Sequence, residues 1–193
     1  MPVRREPVAR RFARARSGAS AVEFAIIVPV LLGLFMAAVE LPRAFSVAKR
    51  LDLAASTMAD LISGTNPAVG EVYAAARAVA TPYDIEAAGI VLTAAGVYLT
   101  DGVAVARVCS SAAQKDQART VGSVIGPAPT GSAAGTRYVM AEVKMRYAAL
   151  FRVFPTLSNW TFSYTTLWPV REGKAYWGNP EVVLPGGQPC PPV

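Results

Sequence analysis

The sequence predicts an α+β protein: a long N-terminal transmembrane helix that continues as a stalk, followed by a small domain with a short helix and an antiparallel β-sheet. Three observations predict this fold class. An apolar run fills residues 19–39. Apolar residues then recur at helical spacing as far as residue 62. Beyond residue 88, runs rich in β-branched and aromatic residues are separated by turn residues.

The membrane span is predicted from the length and the apolar composition of residues 19–39, whose only charged residue is Glu23. These 21 residues would form a helix about 31 Å long, the thickness of a hydrocarbon core. A cleaved secretory signal peptide is the alternative, but its apolar region usually has about 7–15 residues. We therefore predict that this helix crosses a lipid bilayer.

The positive charge lies almost entirely before the span. The first 18 residues hold six arginines and one glutamate, a net charge of +5, and the whole chain carries +6. The positive-inside rule then keeps the N-terminus in the cytoplasm and translocates the remainder. A nucleic-acid-binding protein would carry its basic residues on the folded domain, so we predict no nucleic-acid partner. The predicted organisation is a basic cytoplasmic leader (1–18), a transmembrane helix (19–39), a helical stalk (40–63) and an extracytoplasmic α+β domain (64–193).

The stalk is predicted from apolar residues three or four positions apart: Leu41, Phe45, Ala48, Leu51, Ala55, Met58 and Ile62. Packing against the chain's own domain is the preferred interpretation of this stripe, and a partner surface is the alternative. A Ser-Gly-Thr-Asn-Pro segment over 63–67 ends the helix.

The domain that follows is predicted to contain a short helix and several strands. The helix covers 68–80. The strands cover 89–93, 97–100, 103–109, 138–147 and 160–168, while 126–136 forms a loop and the tail from 185 is irregular.

Catalytic machinery is not evident in the sequence. There is no histidine, which removes the commonest general base and metal ligand. Motifs for a nucleophilic serine or a phosphate-binding loop are also missing. We predict a protein that is not an enzyme and uses neither a cofactor nor a metal.

The chain has two cysteines, Cys109 and Cys190, and both fall in the translocated part. Oxidation is permitted there, so we predict a disulfide that ties the proline-rich tail to the strand ending at Cys109. Two unrelated thiols are the alternative.

The most specific motif lies at the start of the span, where residues 14–25 read Arg-Ala-Arg-Ser-Gly-Ala-Ser-Ala-Val-Glu-Phe-Ala. A basic leader is followed by Gly18, small residues, Glu23 and Phe24, and then the apolar helix. This pattern resembles the processing site of type IV pilin-like proteins. More narrowly, it resembles the TadE/TadG family of minor pseudopilins from tight-adherence (Tad) pilus systems.

The resemblance implies that a prepilin peptidase cuts after Gly18, so that Ala19 becomes the first residue, Glu23 the fifth and Phe24 the sixth. It also implies a structural component of a bacterial inner-membrane assembly, with a periplasmic C-terminal domain and a place in the pilus itself as one outcome. Its partners would be the peptidase, other pilin-like subunits and the pilus assembly machinery. The alternative function is a permanently anchored periplasmic binding module that is not processed.

Three residues within the span each have two interpretations. A carboxylate in a spanning helix is costly. Glu23 is therefore either an interfacial residue near the favourable end of the helix dipole or the partner of an amine released by cleavage. Pro29 cannot donate a hydrogen bond to the carbonyl of Ala25, and Gly33 follows four residues later. This pair forms either an ordinary kink or a hinge used during assembly.

Overall fold

A computed structural model describes residues 17–65, 67–151 and 159–192, except for the side chains of Ser17, Ala19 and Thr65. Most of the predicted leader, residues 1–16, lies outside the described residues. Asn66 of the predicted helix stop and Val193 at the end of the tail also lie outside them.

In the part of the chain that the structure describes, two helices precede the sheet. Helix α1 covers Ser17–Thr65 and contains both Pro29 and Pro42, and helix α2 covers Val69–Ala80. The chain divides into two compact units, one ending at Arg43 and the other beginning at Ala44. A long apolar helix followed by a short helix and an antiparallel sheet confirms the predicted α+β fold class.

The second unit contains a five-stranded sheet with the order β3-β2-β1-β4-β5, in which every neighbouring pair is antiparallel. A separate hairpin is formed by β6 and β7. The strands are β1 Gly89–Thr100, β2 Val103–Gln114, β3 Val124–Pro127, β4 Arg137–Arg146, β5 Thr161–Pro169, β6 Lys174–Tyr176 and β7 Asn179–Glu181.

The strands differ from the prediction in three places. The two predicted runs at 89–93 and 97–100 are one strand, β1, with a change of register between Ala94 and Ala95. Backbone pairing continues through this small-residue segment although its side chains carry little β-propensity. The predicted loop at 126–136 begins within β3, and the β6–β7 hairpin was not predicted.

The core of the second unit forms between one face of α1 and one face of the sheet. The buried stripe of the helix consists of Ala44, Val47, Leu51, Ala54, Ala55, Met58, Ala59 and Ile62, which belong to the same cluster as Leu92, Ala141 and Val143 of the sheet. The C-terminal part of the predicted stripe therefore packs as expected. Leu41 and Phe45 of the predicted stripe are instead exposed, because the buried stripe starts at Ala44, one position from Phe45 in helical phase.

Candidate processing and assembly site

The N-terminal part of α1 exposes a nearly continuous apolar surface. In the described part of the chain, one helix is long and apolar enough to cross a membrane, and its most apolar window is not buried. Nine of its large apolar side chains are 51–67% exposed: Val22, Phe24, Ile26, Ile27, Val30, Leu31, Leu32, Leu34 and Phe35. An apolar surface of this extent requires a cover other than water. The helix is consistent with a single-pass membrane protein.

The predicted processing position lies in the first turn of α1. The helix begins at Ser17, so the bond between Gly18 and Ala19 follows directly. Gly18 is exposed, and a Cβ atom built on it would have nothing within 4 Å. The fold itself therefore leaves room for a side chain at Gly18. An effect of substitution there would reflect recognition by another protein.

Glu23 and Phe24 lie just beyond this turn, and both are exposed. The Glu23 side chain makes no ion pair or hydrogen bond with any other residue that the structure describes. A carboxylate that enters hydrocarbon or a packed helix bundle needs a compensating charge or donor. The structure thus brings Gly18, Glu23 and Phe24 into one accessible segment, in which the Glu23 side chain has no partner among the described residues.

Pro29 and Gly33 lie one helical turn apart within α1. Proline supplies no N–H to the carbonyl of Ala25, and a Cβ atom on Gly33 would have nothing within 4 Å. The helix assignment continues through both positions. A role as a hinge stays a prediction.

At the other end of the chain, the tail is fastened to the sheet by a disulfide. Cys109 of β2 and Cys190 are bonded, with their Cα atoms 4.8 Å apart, and both are buried. The predicted disulfide is therefore present in the structure, and neither cysteine is free.

A buried ion pair lies beside this disulfide. Arg137 Nε, on β4, donates to Glu181 Oε1 at 2.8 Å. The second oxygen, Glu181 Oε2, accepts the backbone N–H of Cys190 at 2.8 Å. The carbonyl oxygen of Pro191 accepts from Arg137 Nη2 at 2.9 Å and from the Tyr98 hydroxyl at 3.0 Å. Together these contacts hold the tail against β1, β2 and β4.

Sequence reasoning missed this pair because nothing in the sequence sets Arg137 or Glu181 apart from surface charges. Burial raises the pKa of the Tyr98 hydroxyl above its ordinary value, while the nearby Arg137 guanidinium opposes that rise. Arg137 Nη1 is buried and has no hydrogen-bond partner among the described residues. It lies beside Gly96, where a Cβ atom would come within 2.7 Å of it.

Comparison with protein families gives a match to the start of α1 and the residues that follow it. The model of the TadE-like protein family matches residues 18–60, a segment that begins at Gly18 and contains Glu23. This match confirms the resemblance predicted from the motif at the start of the span. Comparison with curated proteins finds no significant match, and comparison with solved structures finds none either.

Proposed function

We propose that this protein is a minor pilin-like structural component of a Tad-type pilus or a related secretion apparatus. The observation that carries the proposal is the TadE-like match over residues 18–60. That segment starts at the predicted processing position and contains the exposed apolar part of α1. The family is associated with pili and is structural, so a catalytic role is not proposed.

The N-terminus is cytoplasmic and the second unit is periplasmic in this proposal. The six arginines before Gly18 support that orientation through the positive-inside rule. The Cys109–Cys190 disulfide supports it independently, because disulfides persist in the periplasm and are rare in the cytosol.

Processing by a prepilin peptidase after Gly18 prepares the helix for assembly. Cleavage removes the arginine-rich leader and creates a free amine on Ala19. Glu23, which lacks a partner among the described residues, then pairs with the amine of a neighbouring subunit. Pairing between subunits sets their axial register and removes the cost of an unpaired carboxylate in an apolar environment.

The experiment is a bulky substitution at Gly18 with a matched control at Gly33, since neither position has an atom within 4 Å of a built Cβ. Gly18→Leu is expected to leave the full-length chain in the membrane, whereas Gly33→Leu is cut like the wild type. Leader removal is read from the mass of the purified chain. Normal cutting of Gly18→Leu would contradict the proposed cleavage site. An uncut wild-type chain in native cells would favour the permanently anchored binding module.

A further inference from the structure

The large apolar side chains that the second unit exposes include Phe45, Leu150 and Trp160, at 74%, 56% and 44% of their surfaces. We call these three residues the proximal surface. Single exposed apolar residues are common, and these three differ from the others in where they lie.

Trp160 and Leu150 lie at the same end of the sheet. Trp160 immediately precedes β5, and its carbonyl accepts the backbone N–H of Tyr147 at 2.8 Å. Tyr147 follows the last residue of β4, and Leu150 comes three residues later. Both side chains therefore belong to the end of the sheet where β4 finishes and β5 starts.

Phe45 lies at a similar level along α1. The hydroxyls of Thr166 and Ser56 are 3.4 Å apart, and the N–H of Arg171 donates to the carbonyl of Ser63 at 2.9 Å. Strand β5 and this part of α1 therefore run in the same direction. Trp160 precedes Thr166 by six residues, about 20 Å along a strand. Phe45 precedes Ser56 by eleven residues, three helical turns or about 16 Å, so it lies on the same helix face.

Phe45 lies close to the predicted span along the chain. Phe45 follows Val39, the last residue of the predicted span, by six residues. Six residues reach at most about 22 Å even when fully extended. Tryptophan and other amphipathic aromatic residues are enriched at the boundary between hydrocarbon and water.

We propose that the proximal surface contacts the headgroup region of the leaflet from which the periplasmic unit emerges. Phe45 and Leu150 bury apolar surface there, and Trp160 lies at the polar boundary. Exposed Lys49, one turn beyond Phe45, is suited to contact lipid phosphates. Asp84 and Glu86 are negatively charged and precede β1. The contact is therefore confined to the β4–β5 side of the unit. This surface adds a lipid contact to the spanning helix and goes beyond the proposed role in assembly.

The test compares Trp160 with Trp177 in the full chain reconstituted into phosphatidylethanolamine–phosphatidylglycerol vesicles that carry nitroxide-labelled headgroups. Trp177 is 70% exposed and lies in the β6–β7 hairpin. The segment before that hairpin is bonded to Ser63, about 27 Å beyond Phe45 along the helix. Trp168→Phe/Trp177→Phe leaves Trp160 as the only tryptophan, and Trp160→Phe/Trp168→Phe leaves Trp177.

The labelled headgroups are expected to quench Trp160 at least about twice as strongly as Trp177, because an interfacial indole lies beside the label. Equal quenching, or weaker quenching of Trp160, would overturn the inference. A cooperative urea unfolding transition, followed by tryptophan fluorescence, verifies the fold of each variant. If a double variant fails that check, single Trp160→Phe and Trp177→Phe chains replace it. The fraction of tryptophan fluorescence that is quenched must then fall more in Trp160→Phe than in Trp177→Phe.

Flotation of the chain with the vesicles measures the membrane anchor separately. A chain that floats with an unquenched Trp160 retains its anchor and lacks the proposed surface. A chain that does not float lacks the anchor. That result overturns both the membrane anchor and the proposed lipid contact.

Discussion

Arg137 and Glu181 form an ion pair inside the second unit, with 2.8 Å between Arg137 Nε and Glu181 Oε1 and side chains that are only 4% and 1% exposed. The pair joins β4 to β7 across 44 residues of sequence. Glu181 also accepts the N–H of disulfide-bonded Cys190. This carboxylate therefore connects the sheet to the tail by two contacts.

Glu181→Gln is expected to destabilise the unit strongly, because it leaves the Arg137 charge buried without its counter-ion. Breaking one side of a buried pair costs about 3–5 kcal/mol. Glu142→Gln is the matched control, since the Arg119–Glu142 pair is 35% and 26% exposed and such a pair contributes about 1 kcal/mol or less. Urea unfolding of the oxidised chain in detergent, followed by tryptophan fluorescence, measures both. Equal losses in the two variants would contradict this account.

Replacing both cysteines by serine is expected to lower the free energy of unfolding. The disulfide closes a loop of 81 residues, for which chain entropy gives about 4.5 kcal/mol. Thiol counting on the unfolded, unreduced wild-type chain provides the direct check, and the expected count is zero. Two reactive thiols would show that the disulfide is absent.

Gly96→Ala is expected to destabilise the unit by about 1–3 kcal/mol, the usual cost of overpacking. The new methyl group would lie 2.7 Å from Arg137 Nη1 and 3.0 Å from the Tyr98 ring. Gly70→Ala is the control, because α2 leaves open space at that position and alanine suits a helix better than glycine. An unfolding free energy of Gly96→Ala equal to that of the wild type would disprove the close packing.

Much of the fold follows from the sequence because local patterns encode it. The apolar run over residues 19–39 predicts the long helix, and the alternation of apolar and polar residues over 138–147 predicts β4. The β6–β7 hairpin was not predicted from the sequence, because its turn is Trp177-Gly178 instead of the usual Asn-Gly. Trp177 adopts a φ of 51°, a left-handed conformation that propensity does not predict for tryptophan.

The candidate site divides in the same way. Gly18 and Glu23 are recognisable because they form a contiguous motif. Arg137 and Glu181 are not recognisable in the sequence, because charged residues usually lie on the surface. Only the fold shows that these two are buried. The spacing of three or four residues places Phe45 in the predicted stripe, whereas the structure buries the neighbouring Ala44 instead.

Glu23→Ala and Glu23→Gln are expected to reduce pilus formation more than leader removal. The proposed partner of this carboxylate, the amine of Ala19, exists only after cleavage. Glutamine retains the shape of the side chain, so a defect in both variants assigns the effect to the charge. Leader removal and pilus formation are scored separately in each strain. Normal pili in both variants would return Glu23 to an interfacial role without a partner subunit.

The N-terminal mass of the mature chain, purified from native cells that carry their own peptidase, tests the central claim most directly. The account predicts a chain that begins at Ala19 and lacks the arginine-rich leader. A mature chain that begins before Ala19 would contradict processing after Gly18, and with it the assignment of Glu23 as the partner of a new N-terminus.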